Sequence, residues 1–407
     1  MAFEQKSREN FPEWPQLDAA EKKAVLEVLD SGNLWCGAPS THKGENVWKF
    51  QEEFAKLTGA KHCFAVTNGT HAIEVALMAL GIGLGDEVIV SDYTFVASGS
   101  AVVAVNAVPI FCDVHPRTFN IDETKIEALI TDRTKAIVAV HLGGVPCNMT
   151  EIMKIADKHD LKVIEDCAHS HGSRYKGKHL GNWGDCGTFS FQASKVIASG
   201  EGGAIICNDD ALADKIYTIS DCGRRVGEYF YDHFEFGSNY RLGEFQAAIL
   251  RTQLQKFKDW QHELRNENAS YLKEKLDGID GIFCQDAPDG TESIGQYVFC
   301  VKFDPNKFNK IKKKQFYKKL NENGIPTDDC YPPLHGLECF VKMRGIKGVD
   351  YSQANWGGEK SDDSNFPVVA DIFNHSFEFP QEMLLVKDKS KLDFVVETIS
   401  KIKDGTL

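Results

Sequence analysis

The sequence predicts an α/β fold in which a mostly parallel sheet lies between helices. Seven short apolar runs indicate strands, and they cover residues 61–66, 86–91, 108–113, 135–141, 161–166, 187–191 and 203–207. Continuous apolar runs of this length are typical of strands that are covered on both faces. Helix-like stretches lie between most of the runs, and this alternation favours a parallel sheet.

The stretches between the runs have the periodicity and the start signals of helices. Residues 70–80 place apolar side chains on one face, and residues 150–160 begin with Thr150 at the N-cap position. After residue 237 the pattern changes, because residues 243–276 form one long helical pattern with an apolar stripe. That helix is predicted to lead into a second domain.

Three segments follow from these changes in pattern. Residues 1–30 are predicted to form an N-terminal segment with a helix, and residues 31–258 a large ligand-binding domain. Residues 259–407 are predicted to form a smaller α+β domain, which contains a strand-like run over 297–303 and a terminal helical pattern over 391–402.

Charge and hydropathy exclude two classes of function. The formal net charge is −13, which argues against sequence-independent binding of nucleic acid and against attraction to anionic membranes. The longest uncharged apolar stretch, residues 95–111, is interrupted by Gly99, Asn106 and Pro109. It is therefore predicted to be a buried helix and strand and not a membrane span.

The cysteines indicate a reducing environment. The sequence has 12 cysteines and no CxxC pair, and Cys63, Cys112, Cys186 and Cys207 lie inside apolar runs. This pattern favours reduced, buried thiols over disulfides or a zinc site. The stretch MAFEQKSREN at the N-terminus lacks the apolar core of a signal peptide. The expectation is a soluble cytoplasmic protein without a metal site.

Four strand ends carry groups that suit a ligand, and parallel sheets bind ligands at the carboxyl ends of their strands. Gly69 and Thr70 follow the first run and begin a helix, where free backbone N–H groups and the helix dipole favour a phosphate. Phe95 follows the second run and could stack on an aromatic ligand. Ordinary helix capping and core packing are the alternatives.

The other two strand ends carry ionisable groups. Asp166 ends a buried run, where a carboxylate is costly unless a positive group pairs with it or the next turn uses it as a cap. Ser190 lies near the end of the sixth run, and Lys195 follows that run and precedes a glycine cluster that lets a ligand approach the backbone. A lysine in such a place is a candidate Schiff-base nucleophile if desolvation lowers its pKa, and a surface lysine is the alternative.

Together the four ends predict a ligand with a phosphate, a flat ring, a basic ring nitrogen and an aldehyde, which are the features of pyridoxal 5′-phosphate. Asp166 would keep the ring nitrogen protonated, so that the ring acts as an electron sink. Lys195 would hold the cofactor as the internal aldimine. After displacement by a substrate amine, Lys195 would move a proton between the substrate carbon and the cofactor carbon.

The order and spacing of the motifs resemble the DegT/DnrJ/EryC1/StrS sugar aminotransferases. The resemblance implies a fold type I pyridoxal-phosphate transferase, with a mostly parallel seven-stranded sheet between helices in the large domain and a smaller α+β C-terminal domain. It covers nearly the whole chain and rests on GENVWKFQEEFAKLTGAKHCFAVTNGTHAI, GDEVIVSDYTFVAS, KAIVAVHLGG, LKVIEDCAHSHGSRYKGKHLGNWGDCGTFSFQASK, GEGGAI, SNYRLGEFQAAIL and YPPLH.

The resemblance also implies roles for individual residues. Lys195 matches the Schiff-base lysine, and Asp166 matches the partner of the pyridine nitrogen. Phe95 matches the aromatic residue that stacks on the cofactor ring. His169 stands where the family has glutamine or histidine near the ring hydroxyl.

Further residues match the family's contacts with the cofactor phosphate and its arrangement of subunits. Gly69, Thr70 and Ser190 match the family's phosphate contacts. Asn239 in SNYR matches an asparagine that reaches the phosphate from the neighbouring subunit. The resemblance therefore implies a homodimer with shared active sites.

Short motifs place the chain near one branch of the family. Gln192 in FSFQASK and the motif NYRLGEFQAAIL resemble glutamine:scyllo-inosose aminotransferases and aminohydroxybenzoate synthases, which commonly take the amino group from L-glutamine. Tyr331 and His335 in YPPLH are predicted to line the acceptor pocket. Arg241 is predicted to bind the donor carboxylate, because a guanidinium binds carboxylates in a bidentate way.

The predicted activity is transfer of an amino group from L-glutamine or L-glutamate to a keto group of a nucleotide-linked sugar or a cyclitol, in two ping-pong half-reactions. Family members that dehydrate their substrates have histidine in place of the lysine, so Lys195 favours transamination. The alternatives are dehydration or another reaction on the same cofactor, and a regulatory protein that binds the cofactor without turnover. A zinc or dinucleotide-binding protein is disfavoured because the sequence has neither CxxC nor GxGxxG.

Overall fold

The computed structural model describes residues 10–36, 45–342, 349–352, 354–357 and 361–407. These residues form fourteen strands, which are β1 (His62–Val66), β2 (Glu87–Ser91), β3 (Val108–Cys112), β4 (Thr134–Val140), β5 (Lys162–Asp166), β6 (Arg174–Tyr175), β7 (Lys178–His179), β8 (Cys186–Ser190), β9 (Gly203–Cys207), β10 (Ile282–Cys284), β11 (Thr291–Ser293), β12 (Val298–Phe303), β13 (Asp328–Asp329) and β14 (Ser376–Pro380).

The same residues form thirteen α-helices. They are α1 (Ala19–Ser31), α2 (Glu45–Thr58), α3 (Gly69–Ala79), α4 (Ala97–Ala104), α5 (Glu123–Ile126), α6 (Met149–His159), α7 (Asp210–Ser220), α8 (Glu244–Lys256), α9 (His262–Asp277), α10 (Lys313–Glu322), α11 (Glu338–Val341), α12 (Pro367–His375) and α13 (Ser390–Lys403). Within the described ranges, every helix is too short or too polar to span a bilayer.

The main sheet has seven strands in the order β1-β9-β8-β5-β4-β2-β3. The prediction of a mostly parallel seven-stranded sheet is confirmed, since only β9 runs antiparallel to its neighbours β1 and β8. Strands β2, β3, β8 and β9 consist entirely of buried residues. Their continuous apolar runs therefore reflect a sheet that is covered on both faces.

A second, antiparallel sheet has the order β10-β12-β14-β13 and lies later in the chain. Helices α9, α10 and α13 pack their apolar side chains into the core of this sheet. The core of the main sheet also takes side chains from described residues much later in the chain, among them Leu334, Phe340 and Ile372. The domain limits at residues 30 and 258 stay a prediction.

A buried carboxylate ties the loop after β7 to the main sheet. Glu165 on β5 is fully buried, and its Oε1 accepts hydrogen bonds from the backbone N–H groups of Trp183 at 2.6 Å and Gly184 at 3.0 Å. Its Oε2 accepts from the N–H of Gly181 at 2.8 Å and lies 3.1 Å from His141 Nε2. These donors offset the cost of removing the charge from water.

We expect the Glu165→Gln variant to unfold at a lower urea concentration than the wild type. The amide NH2 group would face N–H donors in place of an acceptor, which costs about 3 kcal/mol of unfolding free energy for a buried group. Glu151→Gln is the control, because the side chain of Glu151 is half exposed and pairs with Lys154 on the same helix. Equal urea midpoints for the two variants, followed by tryptophan fluorescence, would contradict this account.

Candidate active site

The Lys195 amine is buried at the carboxyl edge of the main sheet. The residue lies in the loop after β8, is 8% exposed, and its Nζ is 3.8 Å from the centroid of the Tyr297 ring. No hydrogen-bond partner of Nζ is present among the described residues. Burial lowers the pKa of the Lys195 amine to about 7, while the charges of Asp166 and Glu378 oppose the shift. About half of the amine is then neutral at pH 7, and the neutral form is the nucleophile.

The Asp166 carboxylate is held in place by two donors. It ends β5, next to β8 in the sheet, so it shares the edge with the Lys195 loop. Its Oδ2 accepts from Ser98 Oγ at 2.7 Å, and its Oδ1 accepts from the backbone N–H of Ala168 at 3.1 Å. Thr94 Oγ1 lies 3.0 Å from Ser98 Oγ and donates to it, because the Ser98 proton is already used. No sequence motif points to Ser98 or Thr94.

His169 is buried beside the same residues and has a defined tautomer. Its Nδ1 accepts from the backbone N–H of Gly143 at 3.2 Å, so the proton of the neutral ring lies on Nε2, 3.4 Å from Tyr331 Oη. The ring centroid is 4.2 Å from that of Tyr297. Burial, and then the charge of Lys195, hold the pKa of His169 well below its usual range, so the ring is neutral at pH 7.

The residues predicted to contact phosphate meet where α3 begins and β8 ends. A Cβ atom at Gly69 would lie 2.7 Å from Ser190 Cβ, and one at Gly203 would lie 2.4 Å from the carbonyl oxygen of Asn68. Only glycine fits at these two positions. The N–H groups of Gly69 and Thr70 have no acceptor within the helix, so with Ser190 Oγ they form a cradle for an anion.

Phe95 and Tyr331 lie on the open side of the site. Phe95 follows β2 and is 53% exposed, and its ring centroid is 5.8 Å from that of Tyr331. Because Tyr331 Oη is also close to His169, the two aromatic rings and the histidine form one group.

A cavity of about 330 Å³ adjoins the Lys195 loop. Gln192 lies in its wall, and Gln192 Oε1 accepts from Ser194 N–H at 2.8 Å and from Ser194 Oγ at 2.7 Å. The second sheet contributes much of the wall, which the sequence analysis missed. The lining residues are Trp14, Pro15, Gln192, Ala193, Ser194, Tyr297, Val298, Asp328, Glu378, Pro380, Gln381 and Glu382.

The structure gives His335 a position that differs from the predicted place in the acceptor pocket. The side chain is fully buried, with Nδ1 2.6 Å from Asp92 Oδ2 and Nε2 3.2 Å from Asp363 Oδ1. Its ring stacks on Phe366 at 4.4 Å. Both ring nitrogens are used inside the fold, so His335 has none left for a substrate.

Arg241 and Asn239 lie in the segment that follows α7. The Arg241 guanidinium forms an ion pair with Asp221 Oδ1 and lines a second, smaller cavity that contains Asp221 and Tyr217. Asn239 is exposed and forms an isolated bridge with Asp221. Their predicted contacts with a donor carboxylate and with a neighbouring subunit's phosphate stay predictions.

The residues that meet here fit each group of pyridoxal 5′-phosphate. The glycine-walled cradle at the start of α3 suits the phosphate, and the fixed Asp166 carboxylate suits a protonated ring nitrogen. The buried amine of Lys195 suits the aldehyde, because it is neutral in a large fraction of molecules and forms no competing hydrogen bond with the residues that the structure describes. Neutral His169 suits a ring hydroxyl.

Comparisons with known proteins match one family and several named enzymes. The sequence profile of the DegT/DnrJ/EryC1/StrS aminotransferase family matches residues 15–359. The L-glutamine:2-deoxy-scyllo-inosose aminotransferase of Streptomyces lividus is 38% identical over 337 residues, which are 80% of this chain and 78% of that protein. The GDP-perosamine synthase of Caulobacter vibrioides is 45% identical over 329 residues, 81% of this chain and 86% of that protein.

A solved structure extends the similarity to nearly the full length of the chain. The crystal structure of 3-amino-5-hydroxybenzoic acid synthase superposes with a TM-score of 0.85 at 30% sequence identity. The superposition covers 96% of this chain and 98% of that one.

We expect Lys195 to react with acetic anhydride at a lower pH than the other lysines of the cofactor-free protein. Only the neutral amine reacts, so its rate of modification should be half-maximal near pH 7, whereas an ordinary lysine has a pKa of about 10.4. Peptide mapping by mass spectrometry gives the rate for each lysine. A half-maximal rate above pH 9 at Lys195 would contradict the desolvation argument.

Proposed function

The chain belongs to the DegT/DnrJ/EryC1/StrS aminotransferase family of pyridoxal-phosphate enzymes, and we propose that it transfers the amino group of L-glutamine to the keto group of a sugar or cyclitol. The observation that carries the proposal is the buried amine of Lys195 beside Asp166. The name of the Streptomyces lividus relative supports the donor and a cyclitol acceptor. The name of the Caulobacter vibrioides relative supports a nucleotide-linked sugar as the other acceptor class.

Four groups of the chain would hold the cofactor. Lys195 would bind its aldehyde, and Asp166, oriented by Ser98, would pair with the ring nitrogen. The N–H groups at the start of α3 would bind the phosphate together with Ser190 Oγ. When bound, pyridoxal phosphate supplies an electron sink and stores the amino group between the two half-reactions.

Lys195 is the group that would move protons at the substrate carbon. Its Nζ would take the proton from the α-carbon of L-glutamine, and in the second half-reaction it would deliver a proton to the former keto carbon of the acceptor. With a pKa of about 7, both protonation states of Lys195 are populated at neutral pH, as a group that acts as base and then as acid requires. The Tyr297 ring lies against the amine and restricts its direction.

His169 and the aromatic residues would orient the ring. The Nε2–H of neutral His169 is available as a hydrogen-bond donor on the side of the site that Tyr331 shares. Phe95 would cover one face of the ring, because it lies at the open side after β2. The lysine at position 195 favours transamination, because family members that dehydrate their substrates have histidine in its place.

We further propose that the protein is a homodimer with shared active sites. The segment from residue 226 to residue 236 exposes an unusual number of large apolar side chains, and clustered apolar side chains on a surface mark interaction sites. Asn239, which is predicted to reach a neighbour's phosphate, follows directly after this segment. The exposed residues are Val226, Tyr229, Phe230, Tyr231, Phe234 and Phe236.

We also propose a cytoplasmic location. The twelve cysteines all lie in the described part of the chain and form no disulfide there, and ten of them are buried in the cores. Buried thiols outside disulfides in this number suit a reducing compartment.

The transfer itself is tested by following the absorption band of the bound cofactor. L-glutamine should remove the band in the wild type, and 2-deoxy-scyllo-inosose or a nucleotide-linked keto sugar should restore it. We expect Lys195→Ala to slow both steps by about 10²- to 10⁴-fold, because the acid–base group is lost. Lys215→Ala, at an exposed position on α7, should behave as the wild type. A band that persists in L-glutamine would contradict the proposed donor.

Shared active sites are tested by mixing two inactive variants, Lys195→Ala and Asn239→Glu. If Asn239 serves the neighbouring subunit, half of the re-formed dimers carry one intact site, so about a quarter of the wild-type activity should return. A mixture of Lys195→Ala with Lys195→Arg is the control and should stay inactive. No recovery, under conditions where labelled subunits exchange, would contradict the shared site.

A further inference from the structure

The side-chain amide of Gln192 has a fixed orientation at the cavity beside Lys195. Its Oε1 accepts from the backbone N–H of Ser194 at 2.8 Å and from Ser194 Oγ at 2.7 Å. A backbone N–H can only donate, so the amide oxygen faces Ser194 and the NH2 group faces away from it. Gln192 is exposed and lines the cavity, and its Nε2 has no hydrogen-bond partner among the described residues. A molecule in the cavity can therefore reach this NH2 group.

Tyr297 and Ser194 form a hydrogen-bond chain that ends on this amide. Because the amide oxygen of Gln192 carries no proton, the Ser194 hydroxyl is the donor in the bond between them. Ser194 Oγ is also 2.8 Å from Tyr297 Oη, so the Tyr297 hydroxyl donates to Ser194. The centroid of the Tyr297 ring lies 3.8 Å from Lys195 Nζ. The chain therefore links the orientation of the amide to the residue that contacts the reactive amine.

The backbone next to Gln192 is held from two sides. The N–H of Ala193 donates to the carbonyl oxygen of Gly200 at 2.9 Å. From the N-terminal segment, Trp14 Nε1 donates to the carbonyl oxygen of Ala193 at 3.1 Å. A donor that is already held in place loses little further freedom when it binds a ligand, which favours affinity.

The cavity suits an uncharged part of a substrate. Among the described residues, no lysine, arginine or histidine lines it, so an anionic group would lack a positive partner there. Its volume of about 330 Å³ lies at the lower end of the range for small-molecule sites, about 300–1,000 Å³. The ring of a keto sugar or cyclitol meets both conditions, because its hydroxyl groups are uncharged and their oxygens accept hydrogen bonds.

We propose that the NH2 group of Gln192 donates a hydrogen bond to a hydroxyl oxygen on the ring of the keto acceptor, and that Ser194 and Tyr297 are positioning residues for this donor. The inference rests on the proposed transfer to a sugar or cyclitol. The α-carboxylate of L-glutamine suits this contact less well, because the described wall offers no positive side chain to pair with it.

Replacement of the donor atom alone tests the contact. Gln192→Glu keeps an acceptor oxygen for Ser194 and replaces the NH2 group with an oxygen that cannot donate. The second half-reaction is followed with 2-deoxy-scyllo-inosose, or with the nucleotide-linked keto sugar that restores the cofactor band. The half-saturating concentration of this acceptor should rise about tenfold, while the maximal rate and the half-saturating concentration of L-glutamine stay unchanged. Gln315→Glu, at an exposed position on α10 outside the cavity, is the matched control.

The positioning residues are tested by combining substitutions. Ser194→Ala should raise the half-saturating concentration of the acceptor about threefold, because one hydrogen bond to the amide is lost, and Ser194→Thr should restore the wild-type value. Tyr297→Phe, which keeps the ring against Lys195, should behave as Ser194→Ala does. In the Gln192→Glu background neither substitution should have a further effect, since no donor remains to be positioned. Equal effects in both backgrounds would overturn the positioning roles.

A measurement on the wild type protects the test against a variant that fails to fold. The uncharged cyclitol scyllo-inositol should compete with the acceptor more strongly than its monophosphate does. Equal competition by the two compounds, or an unchanged half-saturating concentration of the acceptor in Gln192→Glu, would overturn the inference while leaving the proposed function intact. Weaker binding of L-glutamine or pyridoxal phosphate by Gln192→Glu, in place of the acceptor, would overturn it as well. If no keto sugar or cyclitol restores the band, the proposed function fails and the inference fails with it.

Discussion

Burial of one amine at the carboxyl edge of a parallel sheet is the constraint on which the site depends. Desolvation lowers the pKa of Lys195 to about 7, while the charges of Asp166 and Glu378 act against it. The pairing of β5 with β8 places Asp166 and the Lys195 loop at the same edge. Strand order and burial therefore place a reactive amine and a carboxylate at the same edge of the sheet.

The sequence predicts the main sheet well because the physical signal is strong. Each of the seven apolar runs overlaps a strand, since a strand covered on both faces must be apolar throughout. The direction of β9 could not be predicted, because a strand that is apolar throughout has the same pattern in either direction. Strands β6 and β7 have two residues each, too few for any period, and were missed for that reason.

The candidate site is predictable only in part. Strand ends such as Asp166 carry a local signal. Tyr297, just before β12, and Glu378 on β14 lie far along the chain, and no local pattern relates them to Lys195. Ser98 lies within a helix and becomes visible only through its hydrogen bond to Asp166. A motif identifies the type of a residue but not the groups that the residue contacts. His335 is an example, because the carboxylates of Asp92 and Asp363 contact both of its ring nitrogens.

The central claim is that Lys195 is the residue that binds the cofactor, and chemical trapping tests it most directly. The protein is loaded with pyridoxal phosphate, reduced with borohydride and digested, and the modified peptide is identified by mass spectrometry. The account predicts one cofactor per chain, attached to Lys195, with no attachment after Lys195→Ala. Attachment to another lysine in the wild type, or no attachment at all, would contradict it.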